Sequence, residues 1–375
     1  MYRKRMLADF VHGRENNFNL LRMVGAATVL IAHGYNVISG RIVSEDAWEQ
    51  AIYDSGHLAL NLFFVFSGFL IASSLSRNLD LLRFATARVL RLMPALLVAS
   101  LFCVLIIGPI ATTGTIEDYI LDPATWIYVP ITTLTTHPDI ALPNVFSQLP
   151  VAEAVNRPIW TLRYEIVLYV TSAAAATLGV LSRPRLFWTL FIMALALYAI
   201  ITFATGLRQL SGFPDHMTHF GLSFLIGFGF WQARAAIPLH WVFAVLLTLS
   251  AVLLRATPLR EFSAIVAVGY VYLYLAYIPS SRFVRSYNRL GDYSYGIYVF
   301  HWPAAQLVHQ IHPSMAPGTL ILWTASIAIP LAVLSWHFVE KPALDRVNDT
   351  SRRIRSLVSA RTILARPAAN NRTMG

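Results

Sequence analysis

Ten stretches of this chain are apolar over a length that only a lipid environment favours, and nothing else in the sequence restricts the fold as strongly. They cover residues 18–38, 57–76, 89–110, 158–180, 186–204, 217–233, 239–255, 261–279, 293–311 and 318–339. A helix needs about 20 residues to cross the hydrocarbon core, and inside it every backbone amide must be satisfied within the segment or by a closed sheet. The expected fold is all-α, a polytopic membrane protein with about ten transmembrane helices. Composition agrees: 13% of residues are charged and 56% hydrophobic, whereas about a quarter of a soluble domain is charged. Turn formers separate segments, as at Ser182–Arg183–Pro184 and Met315–Ala316–Pro317–Gly318, which breaks the helical pattern where a loop is needed. No internal repeat or second soluble domain is evident.

The net charge of +10 is distributed as a topology signal rather than as a nucleic-acid patch. With the N-terminus placed in the cytoplasm, all but six of the 29 Lys and Arg residues fall on the cytoplasmic side. The six are Arg41, Arg157, Arg163, Arg208, Arg255 and Arg260. Such asymmetry marks orientation, so both termini are expected in the cytoplasm. Three regions follow: a cytoplasmic N-terminal segment (1–17), the transmembrane domain (18–342) and a basic, partly disordered cytoplasmic tail (343–375). The start, MYRKR, leads into polar residues with no small-residue cleavage site after the first apolar segment, so no removable leader is expected. The single cysteine, Cys103, excludes a disulfide within the chain.

The first segment contains "LRMVGAATVLIAH" (Leu21–His33), apolar apart from one arginine and one histidine. Eleven residues is about three helical turns, so Arg22 and His33 share a face about 16 Å apart along the axis. Ionisable groups at such depth face a bundle interior or a water-filled cavity. Taken singly, Arg22 is equally a boundary arginine that snorkels, and His33 a helix-packing hydrogen-bonding group. Taken together, they describe one elongated site reached from both faces.

That Arg-x10-His pattern resembles the acyltransferase-3 family of integral membrane O-acyltransferases, and five further blocks follow in the family's order. They are "NLFFVFSGFLI" (Asn61–Ile71), "RFATARVLRLMPAL" (Arg83–Leu96), "IWTLRYEI" (Ile159–Ile166), "YSYGIYVFHWP" (Tyr293–Pro303) and "EKP" (Glu340–Pro342). The resemblance implies transfer of an acyl group, commonly acetyl, from cytoplasmic acyl-CoA to a hydroxyl of an extracytoplasmic glycan or glycolipid such as exopolysaccharide or lipopolysaccharide. It implies a multi-pass protein of the bacterial inner membrane, with acyl-CoA as co-substrate and no further cofactor or metal. Many family members carry Asp three residues before the arginine; here Asn19 stands there, which leaves open how Arg22 is held. The chain lacks the appended hydrolase-like domain of some members, so transfer is expected to finish within the membrane domain.

Residue roles follow from the resemblance and from ordinary chemistry. Arginines make multidentate contacts to phosphates, so Arg22, Arg88 and Arg91, at the cytoplasmic ends of their spans, are candidate acyl-CoA ligands. A hydroxyl is a weak nucleophile, and a base that takes its proton contributes about 10²–10⁴-fold. His33 is the candidate base, or alternatively a transient acyl carrier. Glu165 is the candidate partner that orients His33, and Ser67 the candidate third catalytic group. Asn19, Gly68, Trp160, Tyr295 and His301 are expected to line the cavity. Gly68 also suits small-residue helix packing, and His301–Trp302–Pro303 a Pro-kinked helix. The long stretch from about 111 to 157, outside the membrane, is a candidate acceptor-recognition loop. Asp215, His216 and His219 are too sparse to define a metal site. There is no His-x-x-x-Asp, His-Glu-x-x-His, Cys-x-x-Cys, Gly-x-Ser-x-Gly or Walker loop. The competing class is a transporter or flippase of a glycan-linked lipid, which ten spans with buried ionisable groups also permit.

Overall fold

A computed structural model of the chain describes residues 6–11, 16–137, 140–203, 212–279 and 281–364. The basic residues Arg3, Lys4, Arg5, Arg14 and Arg208 and the tail beyond residue 364 lie outside the described residues. Among the described residues there is no β-strand. In order, the longer helices and those that flank the site are α1 (Phe18–Ser39), α2 (Ala47–Arg77), α3 (Leu81–Ala111), α4 (Ile116–Leu121), α5 (Pro123–Thr133), α6 (Leu162–Thr177), α7 (Pro184–Phe203), α8 (Phe213–Gln232), α9 (Trp241–Leu253), α10 (Arg260–Tyr277), α11 (Ser294–Ile311), α12 (Pro317–Asp345) and α13 (Val347–Leu364). Each apolar segment coincides with a helix, and α1, α2, α3, α7 and α12 are long and apolar enough to cross a membrane.

Boundaries differ from the sequence expectation where caps override hydropathy. Helix α2 begins at Ala47, ten residues before the apolar segment, because the Asp46 carboxylate accepts a hydrogen bond from the Glu49 amide at 2.8 Å. Helix α3 begins at Leu81 rather than 89, capped in the same way by Asp80 on the Arg83 amide at 3.1 Å. Both caps satisfy amides that a helix start leaves orphaned. The tail is not disordered over its first part. It forms α13, joined to α3 by Arg355 on Asp80 at 2.8 Å and by Arg83 on Asn348 at 2.8 Å. The stretch from 111 to 157 is likewise no open loop. It holds α4 and α5 and its own apolar core of Tyr119, Tyr128, Leu142, Val145 and Phe146 against Cys103 and Ile107.

Proline shapes three helices around the site. Two π-helical turns, Cys103–Ile107 in α3 and Trp336–Glu340 in α12, each precede a proline by two residues, Pro109 and Pro342. Proline lacks an amide hydrogen and crowds the carbonyl one turn back, and a widened turn relieves both problems. In α11, Pro303 leaves the Val299 carbonyl without its helical donor, and the Asn156 side-chain amide supplies one at 2.9 Å. The indole of Trp302 donates to the Ala154 carbonyl at 2.7 Å, and Gln306 donates to the Val151 carbonyl at 2.8 Å. The segment before α6 therefore holds α11 in place along the turn that bears His301.

Helix α1 packs on α2 and α11, α2 on α8, and α11 on α12. The α2–α8 contact brings backbones together. A Cβ on Gly68 would strike the Phe224 carbonyl, and one on Gly227 would strike the Val65 carbonyl. Gly68 is thus a packing residue, contrary to its expected place in the cavity: two glycines let two backbones touch where dispersion contact drives helix association.

Candidate active site

A cavity of about 120 Å³ lies between α1, α2, α3, α6 and α11. Its polar wall includes Arg22, Ser67, Arg88, Arg91, Glu165 and Tyr169, with Tyr295 and Tyr298 from α11. The fold thus gathers all three candidate arginines and two of the three candidate catalytic residues. Its apolar wall includes Phe63, Phe64, Phe66 and Leu70, so the charges sit in a setting that strengthens them.

Asp292 answers how Arg22 is held. Its Oδ2 lies 2.8 Å from Arg22 Nη1 and 2.7 Å from Arg91 Nη2, while the Ser294 hydroxyl donates to Oδ1 at 2.5 Å. Arg91 turns its other nitrogen to Glu340 at 3.3 Å. Glu340 is 0% exposed and also accepts from the Ser335 hydroxyl at 3.0 Å. Ser335 and Glu340 are five residues apart, one repeat of the π turn, so the widened helix aligns this pair. The result is a buried Arg22–Asp292–Arg91–Glu340 chain, in which each charge has a partner. Asn19 has no place in it and does not line the cavity. Asp292 and Glu340 were missed as site residues, although an acid set among apolar spans is itself a signal.

Arg88 differs from the other two. Among the described residues its guanidinium meets no carboxylate; it stands over the rings of Phe84 and Tyr169, 5.7 and 5.5 Å from their centroids. Its Nε is buried without a hydrogen-bond partner, as is that of Arg22. The cavity therefore contains one unpaired cation and spare guanidinium donors.

Glu165 does not orient His33. Its carboxylate accepts from the Ser67 hydroxyl at 3.3 Å and from the Tyr169 hydroxyl in a close hydrogen bond. Ser67 adjoins Phe66, whose ring underlies Arg22 at 5.8 Å. Glu165 therefore lies at the level of Arg22, not of His33. The residues before α6 are already inside the bundle: Pro158, Ile159 and Thr161 of the 3-10 turn Arg157–Thr161 are buried, and the helix that carries Glu165 starts only at Leu162. Trp160 also leaves the cavity, its ring tilted against those of His216 and Phe220 at centroid distances of 4.5 and 5.6 Å. His216 and His219 lie on α8, and His219 is bound by Glu261 at 2.6 Å.

The partner of His33 is His301. Nδ1 of His33 and Nε2 of His301 are 2.7 Å apart, with the rings nearly parallel at 6°. His301 is fully buried, and its Nδ1 lies 2.9 Å from the Ile297 carbonyl. Trp302 sets its ring edge-on against His33, centroids 5.0 Å apart. Tyr298 stands between this pair and the cavity. It lines the cavity, its hydroxyl bonds Thr161 at 2.6 Å and the Pro158 carbonyl at 2.8 Å, and its ring centroid is 6.1 Å from that of His301.

Comparison with known proteins assigns this arrangement to a class. Residues 15–338 match the family model described as an acyltransferase domain. The chain is 25% identical over 346 residues to an O-acetyl transferase of Shigella phage Sf6, covering 89% of this chain and 97% of that protein. It is 26% identical over 370 residues to nodulation protein 10 of Rhizobium leguminosarum bv. viciae, covering 88% and 94%. No solved structure matches.

Proposed function

Because this chain belongs to the acyltransferase-3 family and is a multi-pass membrane acyltransferase, we propose that it moves an acetyl group from cytoplasmic acyl-CoA to a hydroxyl of an extracytoplasmic glycan or glycolipid, in a bacterial inner membrane. The observation that carries this reading is a single helix, α1, which puts Arg22 in the wall of an arginine-rich cavity and His33 about 16 Å further along. CoA is a long polyanion, and a phosphate-bearing moiety at Arg22 and Arg88 would direct its thioester arm along α1 past Tyr298 towards His33. Transfer to a hydroxyl, rather than to an amine, fits the name of the phage relative, an O-acetyl transferase.

The reaction needs one proton acceptor. His33 takes the acceptor's hydroxyl proton as the oxygen attacks the thioester carbonyl. The new C–O bond forms, the C–S bond breaks, and the leaving thiolate takes the proton from the imidazolium to give CoA thiol. Glu165, Ser67 and Tyr169, one level below, shape the donor end rather than the base.

Sidedness tests the proposal. In sealed, oriented vesicles, labelled acyl-CoA supplied on the cytoplasmic face should acylate a glycan held on the opposite face. Equal transfer with both substrates confined to the outer face would contradict it. The donor site has its own test. Arg88 has no acid partner, so Arg88→Ala should leave the protein folded while the KM for acyl-CoA rises about 10-fold or more, the worth of one hydrogen bond to a charged group. An acceptor KM that rises while the donor KM stays constant would remove Arg88 from the donor site.

A further inference from the structure

Two histidines in hydrogen-bond contact have a proton order that can be worked out from what surrounds them. The Ile297 carbonyl can only accept, so Nδ1 of His301, 2.9 Å away, carries its hydrogen. An additional proton would make His301 a buried cation. Among the described residues no carboxylate bonds to either ring, and a lone buried charge is strongly disfavoured. Nε2 of neutral His301 is therefore a bare acceptor, and the hydrogen in the 2.7 Å contact belongs to His33 Nδ1. Neutral His33 is then held as the Nδ1–H tautomer, and its Nε2, the ring nitrogen left outside this contact, is the one with a free lone pair.

We propose that His301 is a positioning residue that selects the reactive tautomer of His33, with the Ile297 carbonyl as its anchor and the Pro303 turn as its mount. The reading rests on His33 acting as base. In solution a neutral imidazole exchanges its proton between nitrogens, and only one of the two forms presents Nε2 as a base; the hydrogen bond made by the other nitrogen decides which. A neutral histidine does here what a carboxylate does in the serine hydrolases, with no fixed negative charge in the apolar interior. The edge of Trp302 and the near-parallel rings hold the orientation. Asn156 contributes at one remove: by capping Val299 it keeps α11 continuous through the proline.

Two substitutions that differ by one methylene separate this role from mere packing. His301→Gln places an amide oxygen near the former Nε2, where it can accept from His33. His301→Asn places its amide near the former Nδ1, where it can meet Ile297 but falls short of His33. Both put a neutral amide in the same buried site. With acyl-CoA and a glycan acceptor, kcat should fall on the order of 10²-fold in His301→Asn, the low end of what a positioned base supplies, with both KM values unchanged. His301→Gln should retain kcat within a few-fold. Equal loss in both variants, or loss in neither, overturns the proposal, as does a loss that appears in KM rather than kcat. His33→Asn, assayed in parallel, keeps the two readings apart. If it is active, His33 is not the base. If it is inactive while His301→Asn turns over normally, His33 remains the base and only the role of His301 is withdrawn.

Discussion

His33→Ala should lower acyl transfer by at least about 10²-fold, the contribution of a positioned base, while the protein still inserts and purifies. The ring is only half-buried, but its removal leaves Nε2 of the fully buried His301 without its donor. An unpaired buried acceptor costs about 1–3 kcal/mol, so a modest loss of thermal stability should accompany the loss of activity. His33→Asn separates the two effects. Its amide nitrogen can donate to His301 in place of Nδ1, but it offers no basic nitrogen beyond. It should unfold near the wild-type temperature and be as inactive as alanine. The measurement is turnover with saturating acyl-CoA beside a thermal unfolding curve. Near-normal turnover in either variant would remove His33 from the chemistry.

Arg91→Ala should act on the fold before it acts on catalysis. The sequence places Arg91 with Arg88 as a CoA ligand, but its guanidinium already bridges Asp292 and Glu340 at 2.7 and 3.3 Å. Taking it away leaves Glu340, which has no solvent exposure, without a cation, and leaves Asp292 to Arg22 alone. Breaking a buried pair from one side costs about 3–5 kcal/mol. The variant should therefore unfold well below the wild-type temperature and express poorly. Arg91→Lys should recover only part of this, since an ammonium cannot reach two carboxylates as a planar fork does. Thermal unfolding in detergent or lipid discs decides it. An Arg91→Ala protein as stable as wild type, with a raised KM for acyl-CoA, would make Arg91 a donor ligand and the ion-pair chain incidental. Arg88→Ala is the internal contrast, because no carboxylate depends on it.

The two arginines show where reading the sequence stops. Arg88 and Arg91 are three residues apart on one helix and look alike in hydropathy, charge and depth. Asp292 and Glu340, 201 and 249 residues further on, divide their roles. Glu165 shows the same limit in reverse. The sequence makes it the partner of His33, but the fold binds it to Ser67 and Tyr169 at the level of Arg22. Gly68 was legible as either cavity or packing, and only the Phe224 carbonyl opposite decides for packing.

By itself the sequence determined what a one-dimensional code can carry. Apolar length specifies helices, because a backbone in lipid must satisfy its own amides. The three-turn spacing of Arg22 and His33 follows from the helical repeat, whatever surrounds it. Six blocks in order identified the family. The tertiary structure alone decided the partners: Asp292 for Arg22, Glu340 for Arg91, His301 for His33 and, among the described residues, no carboxylate for Arg88. Helices in a bundle meet sideways, through contacts between residues hundreds of positions apart. In a medium that screens charge weakly, which neighbour lies within 3 Å settles whether a cation is a structural brace or a binding group.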